Sequence, residues 1–204
     1  MTFTLTEETL VRAAGILNAG GVVVVPTDTV YGIAAHPRHP GAVRRICAIK
    51  GRPADKPIAL LAAEGGAVGR FGATLPEAAR RLAEKHWPGA LTLVLPCGTG
   101  YEGFRVPAHD DVRRLLASCG GVLRVTSANL SGAMPARDAA AALRDVGLEA
   151  DMVLDGGISP GGVASTVVKV GPDGTLTVLR EGAIPTAALL SAVTGACVET
   201  PFGV

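Results

Sequence analysis

The chain has 204 residues, of which 48% are apolar and 3% aromatic, and its formal net charge at pH 7 is +1. These values are typical of one α/β domain with an aliphatic core; we expect it to span residues 1–204, with a core over about 5–185 and a C-terminal tail over 186–204. They exclude a polycation that binds nucleic acid or membranes by overall charge, and no apolar run approaches the roughly 20 residues of a membrane helix.

The thiol and imidazole side chains show no spacing typical of a metal site. The first residues lack the basic region and apolar core of a signal peptide, so we expect a cytoplasmic protein with reduced, inactive thiols. The residues concerned are Cys47, Cys97, Cys119, Cys197, His36, His39, His86 and His109.

Helix and strand signals alternate from the start of the chain. Thr4 and Glu7 have capping-box spacing before a helical pattern, and the β-branched run at 22–25 predicts a strand buried on both faces. A helix is predicted after Pro40, and it ends at Gly51. The remaining predictions are helices beginning near Thr74 to Glu77, at Asp110 or Asp111, at Arg137 and after Pro185, and strands at 91–95, 122–125, 152–154, 165–170 and 176–179.

Small hydroxyl residues follow two of the predicted strands, in the segments PTDTVYG at 26–32 and TSANLSG at 126–132. Ligands gather at strand ends in open α/β sheets, and short polar side chains beside glycines can hold a small polar ligand closely. Each segment alone is equally typical of ordinary turns and helix caps. Their joint occurrence favours a ligand site.

Five cations and one anion lie between positions 44 and 56, the densest charge imbalance in the chain. A solvated helix face accounts for Arg44 and Arg45. Lys50, Arg52 and Lys56 instead lie where glycine and prolines interrupt regular structure, and cations on such loops often bind phosphate. Because the chain has no glycine-rich phosphate-loop motif, a polyphosphate would be held mainly by side chains.

Five segments, in order and at compatible spacing, resemble the threonylcarbamoyl-AMP synthase family in its short, single-domain form. They are PTDTVYG at 26–32, KGRPADKP at 50–57, SANLSG at 127–132, STVV at 165–168 and LREG at 179–182. The resemblance covers roughly residues 5–185. It implies a single α/β domain with a twisted, mixed and largely antiparallel sheet, flanked by helices around a large basic cavity.

The resemblance also implies an activity, the condensation of L-threonine, bicarbonate and ATP to threonylcarbamoyl-adenylate and pyrophosphate. In this nucleotidyl transfer, a carbamate formed on the threonine amine attacks the α-phosphorus, with Mg²⁺ bound through the ATP phosphates. The product would feed the t⁶A modification of tRNA, so tRNA and the proteins that transfer the threonylcarbamoyl group are further implied partners. Such chemistry needs fixed cations rather than a protein nucleophile.

Residue roles carry over by motif position. The residues implied to contact L-threonine are Thr29, Arg105, Ser127 and Ser165, with Thr126 as a further candidate. The guanidinium of Arg105 would bind the amino-acid carboxylate. The residues implied to contact ATP are Lys50, Arg52, Lys56, Asn129 and Arg180, of which Lys50 and Arg52 would also serve catalysis. Arg137 stands where the family often has a small hydroxyl residue.

Two other functions remain open on the sequence alone. One is a double-stranded RNA or tRNA-binding module of the same fold, although exposed aromatic residues for base stacking are scarce. The other is a related enzyme of another carbamoyl-adenylate, like the carbamoyltransferase domains of hydrogenase maturation. Leu61 and Tyr101 stand where many family members have His and Thr, so contacts at these two positions do not carry over.

Overall fold

A computed structural model of the chain describes residues 1–192 and 198–199, which form one mixed sheet with helices packed on its faces. The strands are β1 (Thr2–Thr4), β2 (Val22–Val25), β3 (Gly32–Ala35), β4 (Leu60–Ala62), β5 (Leu91–Cys97), β6 (Gly100–Arg105), β7 (Val122–Ser127), β8 (Met152–Asp155), β9 (Thr166–Val170), β10 (Leu176–Arg180) and β11 (Val198–Glu199). The helices are α1 (Glu7–Asn18), α2 (Pro40–Lys50), α3 (Gly65–Arg70), α4 (Glu77–His86), α5 (Asp110–Ser118), α6 (Ala139–Ala142), which continues as a π-helical turn over Leu143–Gly147, and α7 (Thr186–Leu190).

The strand order across the sheet is β1-β8-β2-β3-β7-β4-β6-β5-β9-β10-β11. The predicted mixed sheet is confirmed. Of the ten pairings among the described strands, five are parallel and five antiparallel. The sheet is therefore not largely antiparallel, in contrast to the prediction. The parallel pairs arise where helices separate the two strands in sequence, as between β4 and β6.

Helices cover both faces of the sheet, and β2 is buried between them as predicted. Its alternate valines face opposite sides: Val22 and Val24 pack in a cluster with Ile46 of α2, whereas Val23 and Val25 pack with residues of α1 and α5. A third cluster joins α3 and α4 to β4, β5 and β6 around Phe104. Full burial stabilises the fold by roughly 1.5–3 kcal/mol for each large aliphatic side chain.

Two helix starts differ from their prediction. Thr4 lies in β1, and α1 is capped instead by Thr6, whose hydroxyl accepts a hydrogen bond from the N–H of Thr9 at 3.3 Å. At α4 the N-cap is Pro76 without a side-chain cap, and Thr74 lies two residues earlier, where its N–H donates to the carbonyl of Pro96 at 2.9 Å. Both helices form at the predicted places, since their apolar faces are buried.

The three cysteines in the described part of the chain have thiol side chains, as predicted. Cys47, Cys97 and Cys119 are free thiols, and burial raises the pKa of Cys119 to about 11. Cys197 lies outside the described residues, as do parts of the predicted tail, in which α7 is the predicted short helix. Within the described part of the chain, no helix combines the length and the hydropathy that a membrane span requires.

His36, directly after β3, is a buried histidine. Its Nδ1 accepts a hydrogen bond from the N–H of Arg38 at 3.2 Å, and its Nε2 lies 3.0 Å from the carbonyl oxygen of Cys119. Both contacts are satisfied when Nε2 carries the only proton. Burial lowers the pKa of His36, with the Cys119 carbonyl as the main opposing contact.

We therefore expect His36 to make folding stability depend on pH. Its folded-state pKa lies below the value of about 6.5 for an unburied histidine, so its contribution is complete above that pH and is lost as the pH falls towards the folded-state pKa. Urea unfolding of the wild type should show a falling midpoint between pH 7.5 and 5.5. In His36→Asn this fall should be smaller; an equally steep fall would show that other groups, such as His86, carry the dependence.

Candidate active site

A cavity of about 590 Å³ lies where the ends of several strands meet. The predicted site residues that line it are Thr29, Arg52, Lys56, Arg105, Ser127, Ser165 and Arg180, together with Thr126. Lys50, Asn129 and Arg137 are not part of the lining. The structure thus brings the predicted hydroxyl residues and most of the predicted cations to one place.

Arg105, at the end of β6, is held by three acceptors. Its Nε donates to the carbonyl of Gly89 at 2.9 Å, one terminal nitrogen to Oγ1 of Thr29 at 2.8 Å, and the other to Oδ1 of Asp28 at 2.5 Å. Burial lowers the pKa of this guanidinium, and the Asp28 carboxylate opposes the shift. A guanidinium has five N–H groups, so two remain for an anionic ligand.

The turn after β2 presents Thr29 to this arginine. The hydroxyl of Thr27 donates to the carbonyl of Val30 at 2.6 Å and accepts from the N–H of Thr29 at 3.2 Å, which fixes the turn. The loop that contains Gly161 packs on this turn, because the N–H of Gly161 donates to the carbonyl of Asp28 at 3.0 Å. A Cβ at Gly161 would lie 2.7 Å from that carbonyl oxygen, so only glycine fits this approach.

Ser165 and Arg180 form the opposite side of the cavity. Oγ of Ser165 lies 2.8 Å from Oγ1 of Thr92, and Arg180 donates to the carbonyl of Ser165 at 2.8 Å. Burial lowers the pKa of Arg180. Arg180 is therefore held against the strand end that carries Ser165, with its position set by a backbone acceptor.

Thr166 braces the chain directly after Arg180. Its buried hydroxyl accepts from the N–H groups of Gly182 and Ile184, both at 3.0 Å, and donates to the carbonyl of Ile184 at 2.6 Å. Gly182 approaches so closely that a Cβ would lie 2.2 Å from the carbonyl oxygen of Ala164. These contacts explain structurally why hydroxyl and glycine residues occur in the segments STVV and LREG.

Lys50 lies beneath the cavity, with its ammonium bound by protein. Nζ donates to the carbonyls of Ser127 and Asn129, the latter at 2.5 Å, and the N–H of Ser131 donates to the carbonyl of Lys50 at 2.8 Å. Burial, and secondly the charge of Arg52, lowers the pKa of Lys50 to about 8. Lys50 therefore ties the end of α2 to the turn after β7, and its contact with ATP stays a prediction.

Two further predicted ATP contacts have polar atoms without a protein partner. The side chain of Arg52 donates to the carbonyl of Pro57 at 2.6 Å, while its buried Nε has no partner among the described residues. The amide nitrogen of Asn129 donates to the carbonyl of Ala133 at 2.7 Å, and its buried Oδ1 is likewise without a partner in the described chain. Lys56 is exposed at the cavity.

The structure adds residues that the sequence did not single out. Thr92 and Glu102 line the cavity. Asp28 is not part of the lining, but its carboxylate pairs with Arg105, which is. Glu102 forms two hydrogen bonds with Arg124, at 2.7 and 2.5 Å, so its charge is compensated. Asp28 stands inside the segment PTDTVYG, but its partner is 77 positions away, and no local pattern shows that pairing.

The cavity is lined by four cations, Arg52, Lys56, Arg105 and Arg180, and its one lining carboxylate, Glu102, is already paired. In the described residues, no three His, Cys, Asp or Glu side chains are grouped so that they could hold a metal ion. Such a lining suits an anionic ligand with several charges.

Comparisons with known proteins agree on one family. The Sua5/YciO/YrdC family model, described as "Telomere recombination", matches residues 15–182. A threonylcarbamoyl-AMP synthase of Pyrococcus abyssi is 35% identical over 190 residues, which cover 88% of this chain and 56% of that protein. One from Halorhodospira halophila is 37% identical over 155 residues, covering 71% of this chain and 81% of that protein.

A solved structure gives the same fold. The crystal structure of P. abyssi Sua5 complexed with L-threonine superposes with a TM-score of 0.89 at 30% identity, covering 98% of this chain and 62% of that one. This chain spans 56% and 54% of the length of two of the curated relatives that it matches, from P. abyssi and Bacillus subtilis.

The brace at Thr166 gives a direct test of this side of the site. Thr166→Val keeps the shape but leaves two partly buried N–H groups and a carbonyl without a partner, so we expect a loss of about 2 kcal/mol in the free energy of unfolding. Thr166→Ser keeps the hydroxyl and should lose only about 1 kcal/mol, from one methyl group. Denaturant unfolding measures both, and equal losses would show that the hydroxyl contacts contribute little.

Proposed function

This chain belongs to the Sua5/YciO/YrdC family, and we propose that it is a threonylcarbamoyl-AMP synthase, which condenses L-threonine, bicarbonate and ATP. The observation that carries the proposal is the lining of one cavity by a guanidinium with free donors, several hydroxyl groups and three further cations. These are the groups needed to hold an amino acid and a triphosphate side by side. The complex of P. abyssi Sua5 with L-threonine supports the amino-acid part.

The amino acid would occupy the end of the cavity around Arg105. The two remaining N–H groups of Arg105 suit a carboxylate, which binds a guanidinium through two oxygens. Thr29, Ser127 and Ser165 line the same cavity and offer hydroxyl donors and acceptors. This assignment agrees with the fixed orientation of Arg105, because its three protein acceptors prevent rotation.

The triphosphate would occupy the part of the cavity near Arg52, Lys56 and Arg180. All three line the cavity, and the Nε of Arg52 is a donor without a partner among the described residues. Mg²⁺, when bound, would neutralise phosphate charge and polarise the α-phosphorus. Since Asp28 and Glu102 are paired with arginines, it would be held mainly by phosphate oxygens.

The reaction needs no covalent intermediate with the protein. The threonine nitrogen adds to CO₂ derived from bicarbonate and loses a proton, and a carbamate oxygen then attacks the α-phosphorus while the bond to pyrophosphate breaks. Negative charge increases on the phosphoryl oxygens in the transition state, where fixed cations lower its energy. We also propose that the product serves tRNA modification in the cytoplasm, with tRNA and a threonylcarbamoyl-transferring protein as partners.

The proposed reaction predicts how ATP consumption depends on the other substrates. Purified protein should release pyrophosphate from ATP only when both L-threonine and bicarbonate are present, as a coupled phosphate assay would show. Equal release without threonine would contradict the proposal. RNA binding without any adenylate formation would favour the RNA-binding module instead.

We further expect Lys56→Ala to raise the KM for ATP about tenfold, because one charge-assisted contact with phosphate is worth about 1.5 kcal/mol or more. Folding should be intact, since Lys56 is exposed on a loop. Lys85→Ala is a matched control, because Lys85 lies on α4 and does not line the cavity. Unchanged ATP kinetics in Lys56→Ala would remove this residue from the proposed site.

A further inference from the structure

Tyr101 lies near the start of β6, and Arg105 lies at its end. Side chains alternate along a strand, so Tyr101, Gly103 and Arg105 share one face, while Phe104 points into the core on the other. Tyr101 and Arg105 are four residues apart, which is about 13 Å along a strand. Gly103 lies between them, close to Ala59 and Thr92, and Tyr101, Gly103 and Arg105 all line the cavity.

The ring of Tyr101 forms a wall with a cation behind it. Nζ of Lys169 lies over the ring, 4.0 Å from its centroid. Lys169 lines a second depression on the protein surface but not the main cavity, whereas Tyr101 lines both. One ring face is therefore covered by the ammonium, which holds the ring in place, and the ring also lines the main cavity.

The surroundings of this ring suit a flat, partly apolar group next to phosphates. Val94 on β5, which pairs with β6, and Val167 on β9, the next strand of the sheet, line the cavity. In the parallel pairing of β4 with β6, Leu60 lies opposite Phe104, so the loop that carries Lys56 and enters β4 runs alongside the first residues of β6. An aromatic ring, an apolar wall and a phosphate-binding cation thus occur together at one end.

We propose that Tyr101 is the surface on which the adenine base of ATP stacks. This inference rests on the proposed function, because it assigns the nucleotide to the Tyr101 end and the amino acid to the Arg105 end. Bases stack on aromatic rings through their flat faces, and this contact requires no hydrogen bond with the phenol hydroxyl. The spacing along β6 leaves room for the ribose and the reacting α-phosphate between the two ends.

The test compares two probes that differ in the base. Binding of ATP and of inorganic tripolyphosphate to the purified protein is measured by calorimetry for wild type, Tyr101→Ala and Tyr101→Phe. We expect Tyr101→Ala to weaken ATP binding about tenfold, the loss typical of one base–aromatic stack, and to leave tripolyphosphate binding unchanged. Tyr101→Phe keeps the ring and should bind ATP as the wild type does.

Other outcomes would overturn the inference. If Tyr101→Ala bound both probes more weakly by the same factor, the ring would act through the shape of the phosphate site; if it changed only the KM for threonine, the ring would border the amino-acid end. Unchanged ATP binding would leave the base elsewhere. These results are separate from the fate of the proposed function, since a wild-type protein that binds ATP without threonine-dependent turnover would refute only the reaction.

Discussion

The site depends on burying charged side chains without leaving their donors unsatisfied. Removing a guanidinium or ammonium from water costs several kcal/mol unless hydrogen bonds and opposite charges replace the solvent. Arg105 meets this requirement through Gly89, Thr29 and Asp28, which belong to two chain segments far apart in sequence. Because these segments must come together around one side chain, the same contacts that keep Arg105 charged also bring the turn after β2 to the end of β6.

The other cations are held by the same principle, with backbone carbonyls as acceptors. Lys50 binds the carbonyls of the turn after β7, and Arg180 binds that of Ser165. A carbonyl orients a cation without cancelling its charge, unlike the carboxylates that pair with Arg105 and Arg124. The cavity therefore keeps a positive lining, while its orientation is fixed before any ligand binds. Fixed dipoles and charges of this kind need little reorganisation during phosphoryl transfer.

Much of the fold followed from local patterns. The valine run at 22–25 predicted a doubly buried strand, and α2 ends at Gly51, whose positive φ of 59° suits a glycine at a helix end. The strands β1, β3, β4, β6 and β11 were not predicted. Four of them have two to four residues and gain their hydrogen bonds only from neighbours in the sheet, whereas β6 has six residues but contains two glycines, which are rare in strands. These strands form through pairing with strands distant in sequence, and a local pattern carries no information about such pairing.

Some site residues were predicted from local patterns, whereas the positions of others depend on the tertiary structure. Motif segments identified residues of the cavity such as Thr29 and Ser165, since hydroxyl groups at strand ends leave a local signal. Lys50 carries the same sequence signal as Lys56, yet one ammonium is bound by carbonyls beneath the cavity and the other is exposed at it. Helix α2 accounts for the difference: Lys50 belongs to its last turn and is buried with it, whereas Lys56 lies beyond the glycine and proline that end the helix. Charge type thus locates a phosphate-binding region in the sequence, but burial decides which cation is free to act in it.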